Sequence, residues 1–74
     1  MSVTISDLKL IARNGGGMIL DAKKIQSSDL KLIVRNASET QAQITLKNPQ
    51  VLSVSDIKLI SSNAKGCVVF DFYD

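Results

Sequence analysis

The sequence Ser-Asp-Leu-Lys-Leu-Ile is written nearly three times in this chain: at 6–11, at 28–33 and, as Ser-Asp-Ile-Lys-Leu-Ile, at 55–60. After two intervening residues each copy is followed by an asparagine: Asn14, Asn36 and Asn63. An internal repeat of this period constrains a fold more than composition does, because stacked units bury each copy's apolar positions against the same positions of a neighbour. The opening serines are 22 and then 27 residues apart (positions 6, 28 and 55), the extra length falling in the middle loops. One domain over residues 1–74 is expected, with units starting near Val3, Ile25 and Val51.

Within each unit the residues read as strands. Leu8, Leu10 and Ala12 alternate with Asp7, Lys9, Ile11 and Arg13, the period-2 pattern of a half-buried strand. Asn14-Gly15-Gly16-Gly17 breaks it, and Met18 to Ala22 reads as a shorter strand. Ile25 to Arg35 and Val51 to Ser61 repeat the long strand, while Gln41 to Leu46 and Cys67 to Tyr73 repeat the short one. The single proline, Pro49, sits in a turn, where a strand interior would reject it. The expectation is an all-β chain: a short parallel β-solenoid of about three units, or, as the alternative, three β-hairpins in a small antiparallel barrel or sandwich. In the solenoid, Leu8, Leu30 and Ile57 form one core ladder and Leu10, Leu32 and Leu59 another. Lys9, Lys31 and Lys58 then form a row whose repulsion is offset by diagonal pairing with Asp7, Asp29 and Asp56.

Leu8-Lys9-Leu10-Ile11-Ala12, then Gly15-Gly16-Gly17-Met18-Ile19-Leu20, then Ile25, resembles the repeats of β-helical spike and adhesin proteins. These are the tips of phage tails and type VI secretion spikes, and filamentous-haemagglutinin-type exoproteins. The likeness runs the length of the chain and consists of strand alternation with glycine turns. The chain departs from those families in its more frequent lysine and serine and in later turns without triple glycine. The resemblance implies a non-enzymatic structural element, and for the spike branch a homotrimer; it carries over no functional residue.

Catalytic chemistry finds few residues to use. There is no histidine, so the commonest general base and metal ligand is missing, and neither a metal nor a cofactor is expected. Ser-x-x-Lys recurs as Ser6/Lys9, Ser28/Lys31 and Ser55/Lys58, but on a strand i and i+3 point to opposite faces. Cys67, the only cysteine, allows no intrachain disulfide and stands between apolar neighbours as a small hydrophobe. Asp21, Asp71 and Asp74 read as solvated carboxylates. Gly15-Gly16-Gly17 precedes a strand rather than the helix a phosphate loop requires. Asn36-Ala37-Ser38 matches a glycosylation acceptor, without a secretory context to use it. The chain is therefore expected not to be an enzyme.

What remains is association. With Leu8 and Leu10 facing in, Ile11, Ile33 and Ile60 either face out as an apolar row beside charge, the look of an interface, or sit at a strand bend or second sheet that buries both faces. Phe70, Phe72 and Tyr73 are the only aromatics and gather in the last strand, whose edge invites pairing. The expected function is a structural or protein-interaction module that self-associates, as a dimer or trimer, through the repeated strand face or its terminal edge. The alternative is a small nucleic-acid-binding β domain using the Lys9, Lys31 and Lys58 row. A net charge of +2 and the interleaved aspartates argue against it. No run reaches the length of a membrane span and the start carries no signal-peptide pattern. A cytoplasmic protein is expected, unless the chain is a fragment of a secreted or virion protein.

Overall fold

A computed structural model describes residues 3–73. The long segments read as strands are helices: α1 is Ile5–Arg13, α2 Ser27–Thr40 and α3 Val54–Ala64. The short segments are strands: β1 Met18–Asp21, β2 Ile44–Lys47 and β3 Val68–Asp71. The chain is therefore a mixed α/β molecule of three helix–strand units, and the all-β expectation, whether solenoid or hairpin barrel, is overturned.

The cause lies in which leucine was counted as core. In α2 the buried set is Leu30, Ile33, Val34 and Ala37, spaced i, i+3, i+4, i+7 as one helical face requires. In α1 the buried pair is Leu8 and Ala12, and in α3 it is Ile60 and Ala64. The leucine that made the pattern look alternating points to solvent in every unit: Leu10, Leu32 and Leu59 are 53%, 43% and 50% exposed. The first and third repeats also begin with a side-chain cap, which α2 lacks. Thr4 Oγ1 accepts from Asp7 N (3.2 Å) while Thr4 N donates to Asp7 Oδ2 (3.0 Å), closing a capping box. Ser53 Oγ accepts from Asp56 N in the same way (3.1 Å). The aspartates of the repeat also stand in the first turn, where the helix dipole favours negative charge.

The strands form one parallel sheet in the order β1-β2-β3, with Met18 beside Ile44 beside Val68. The helices pack side by side in the same order. Leu20, Ile44 and Leu46 meet Leu8, Ala12, Leu30, Ile33, Val34 and Ile60 in a single core between helices and sheet. Each large aliphatic side chain buried there contributes about 1.5–3 kcal/mol.

The units differ chiefly in how helix passes to strand. α2 runs about a turn further than α1, and Thr40 in that turn donates from Oγ1 to the Ala12 carbonyl at the end of α1 (2.6 Å). α1 is instead closed by its glycines. Gly15 has φ +87°, and a Cβ on Gly16 would lie 2.6 Å from Ile11 Cγ2 and 3.1 Å from the Ile11 carbonyl oxygen. Only glycine lets the chain turn back this tightly on α1.

Candidate functional site

Open parallel sheets bind ligands beyond the carboxyl ends of their strands, where the strand order reverses. An order of β1-β2-β3 has no such reversal. At those carboxyl ends stand Asp21, Lys47 and Asp71 in register. Lys47 Nζ lies 3.3 Å from Asp71 Oδ2, and Asn48 Nδ2 donates to Asp21 Oδ1 (3.0 Å). The hydrogen bond from Asn48, with the Lys23 N–H and the charges of Lys24 and Lys23, holds the Asp21 carboxyl below its ordinary range. The Tyr73 N–H, then Lys47, does the same for Asp71. Carboxylates held ionised in this way are structural anchors and poor proton donors near neutral pH. Asp74 lies outside the described residues.

The helices bring each Ser-x-x-Lys pair onto one helical face, as a strand would not. Even so, no hydrogen bond joins serine to lysine among the described residues. Lys31 Nζ is instead held by Asp56 Oδ1 at 3.1 Å, which also breaks up the row of free cations needed to follow a phosphate backbone. Cys67 is a buried free thiol. Among the described residues no cluster of three His, Cys, Asp or Glu side chains gathers to hold a metal ion. Among the described residues no helix is long and apolar enough to cross a membrane. Two open valleys lie between helices: one of about 350 Å³ lined by Ser6, Lys9, Leu10, Arg13 and Asn36, and a more polar one between α2 and α3.

The surfaces with most to offer are the two ends of the stack. In the middle unit Leu30, Ile33, Val34, Ile44 and Leu46 are all fully buried. At the ends only some of the same positions are closed: Leu8, Ala12, Leu20 and Ile60 are buried, and others are not. Ile11, the counterpart of Ile33, is 38% exposed, and Met18, the counterpart of Ile44, is half-buried. At the other end Ile57, Val68 and Phe70 are half-buried where Leu30, Ile44 and Leu46 are closed off. Phe72 extends this patch, its ring 6.3 Å from that of Phe70, and Tyr73 is exposed beyond it.

The expected interface residues thus divide into three groups. Ile33 and Ile60 fill the seams between helices and reach no surface. Ile11 marks the α1 end. Phe70, Phe72 and Tyr73 mark the β3 end. The sheet face away from the helices is also uncovered, with Ile19 and Val69 exposed on either side of Thr45. Parallel sheets are ordinarily covered on both faces.

Asp7 and Lys58, which a strand reading sets in surface rows, are both exposed and make no ion pair among the described residues. The repeat sets an aspartate and a lysine two residues apart in every unit. Helical spacing sends the two to opposite sides.

No family model matches the chain, and neither a curated protein nor a solved structure matches it.

Proposed function

We propose that this chain is a non-enzymatic structural module that associates with further protein through the ends of its helix–strand stack, its own copies foremost. The observation that carries this is the contrast between units: the positions of Ile33 and Ile44 are partly open in the first unit as Ile11 and Met18, and those of Leu30, Ile44 and Leu46 in the last as Ile57, Val68 and Phe70. A stacked-repeat protein needs polar caps at its ends to stay apart from its neighbours. Here Ile11, Met18, Val68, Phe70 and Phe72 supply apolar surface instead, beside two strand edges with unpaired backbone groups. The lack of histidine and the engaged carboxylates fit a module whose work is contact rather than chemistry. A single buried thiol suits a reducing compartment such as the cytoplasm.

The end of so narrow a stack offers a small contact, which places the association in the weak, concentration-dependent class. Sedimentation velocity or light scattering over a range of chain concentrations tests it. A mass rising beyond one chain is expected, and Ile11→Ser should delay the rise. A mass that stays at 8.0 kDa at millimolar chain ends the reading.

A further inference from the structure

We infer that copies of this chain join head to tail, the β3 end of one receiving the α1 end of the next, with Lys58 of the first paired to Asp7 of the second. This deepens the self-association proposed above by fixing which end meets which.

The argument starts from the seam between α2 and α3. There Lys31 reaches forward to the next unit's Asp56, Nζ to Oδ1 at 3.1 Å, while Ile60 faces back and is fully buried. All three residues belong to the repeat. The lysine stands at 9, 31 and 58, the aspartate at 7, 29 and 56, and the isoleucine at 11, 33 and 60. On a helix, residues four apart share a face and those two apart lie on opposite sides. Aspartate and isoleucine therefore look toward the preceding unit and lysine toward the following one. α1 confirms the direction, because Ser6, Lys9, Leu10 and Arg13 border the valley shared with Asn36 of α2. Asp7 and Ile11 are on the other side, at the open end.

Each end of the stack thus holds half of the seam built between α2 and α3; the equivalent Lys9 and Asp29 between α1 and α2 are not in ion-pair contact. The α1 end has the acid and the isoleucine without the preceding lysine. The β3 end has Lys58 without a following acid. Asp7 uses Oδ2 for its own cap, leaving Oδ1 to receive an ammonium group. Where α1 and α2 present Ala12 and Val34 to the core, α3 has Ser61. Its hydroxyl donates to the Ile57 carbonyl (2.8 Å), so it can be covered without losing a partner. The strand edges agree as well, since β1 of a second copy beside β3 continues a sheet that is parallel throughout. Joining α1 end to α1 end would instead set Asp7 near Asp7 and leave Lys58 unused. A head-to-tail contact is heterologous, so it gives an open chain of molecules, or a ring where the rotation between copies closes, rather than a two-fold dimer.

Charge exchange tests the orientation. K58D alone and D7K alone should each raise the concentration of half-assembly by about tenfold, as attraction becomes repulsion. An equimolar mixture of the two should return to within about twofold of the parent, because each repulsive end then meets its complement. Asp7 also caps α1, so melting temperatures are taken alongside. A second measurement leaves the cap intact: in a C67A background, I11C and S61C chains are mixed and joined with a short bismaleimide. Cross-links between I11C and S61C are expected, since Ser61 is exposed on α3 where α1 and α2 carry Ala12 and Val34. Assembly that ignores both charge changes, or I11C chains joined chiefly to each other, overturns the orientation while self-association stands. A parent that never assembles overturns both.

Discussion

Gln41 ends α2 with φ +61°, and Lys65 ends α3 with φ +50°. Left-handed backbone brings a Cβ against the following carbonyl and costs a non-glycine residue roughly 1–2 kcal/mol. Glycine takes this position without the penalty, which is why it so often closes helices. Gln41→Gly is therefore expected to raise stability by about 0.5–1 kcal/mol, less whatever the Gln41 Nε2 bond to the Ser38 carbonyl contributes. Urea titration followed by circular dichroism measures it, and a loss of stability would show that the amide outweighs the strain. Asn48 has the same conformation (φ +57°) but offers less to gain, because its side chain is committed to Asp21.

The helices are where reading the sequence failed, and two neighbouring residues show why. A strand hypothesis places Leu32 in the core and Ile33 outside; a helix reverses them. Ile33→Ser should cost about 3 kcal/mol or more, as a buried aliphatic side chain is lost and a hydroxyl takes its place. Leu32→Ser should stay within about 1 kcal/mol of the parent. Equal losses at the two sites would contradict the helical face. The repeat, the three short strands and the one buried cysteine were legible from residue order, because short apolar runs bounded by Asn, Gly and Pro leave few options. The helices were not, because Leu-Lys-Leu-Ile satisfies period 2 and period 3.6 equally well over four residues. Thr4 with Asp7 and Ser53 with Asp56 held the deciding information, as capping pairs three residues apart. The ends of the stack were half legible: the aromatic strand drew notice, but Ile33 and Ile60 were assigned to the surface that Ile11 alone reaches. Both ion pairs, Lys31 with Asp56 and Lys47 with Asp71, tie the second unit to the third. Asp56 is held below its ordinary 3.8 first by the hydrogen bond from Lys31 and then by that ammonium's charge, with burial opposing. A carboxyl depressed by folding stabilises above its unfolded pKa, and that stabilisation fades as pH falls below it. The melting temperature should therefore drop on acidification below about pH 4, and Asp56→Asn should flatten the drop while lowering the value at pH 7. An unchanged acid limb in Asp56→Asn would remove this pair from the account.

A stack of three units, each touching only its neighbours, distributes stability unevenly, with the central unit packed on two sides and the outer ones on one. Hydrogen exchange in dilute solution should find its slowest amides in α2 and β2, around Leu30, Ile33, Ile44 and Leu46, and faster ones in α1 and β3. The two edges identify which amides report on assembly. Met18 N donates to the Gln43 carbonyl and Ala22 N to that of Lys47, so the Ile19 N–H between them points away from the sheet. Ile44 N donates to the Cys67 carbonyl, which leaves the N–H groups of Val68 and Phe70 on the far edge of β3. Ile19, Val68 and Phe70 should exchange freely in the single chain and slow together as concentration rises, since joining β3 to β1 pairs all three at once. Protection appearing at Ile19 alone would mean that β1 edges meet each other. Assembly by mass with no protection at any of the three would move the contact off the edges, to the helix ends or to the uncovered face of the sheet at Ile19 and Val69. Slowest exchange in α1 or β3 would contradict the stack as the source of stability.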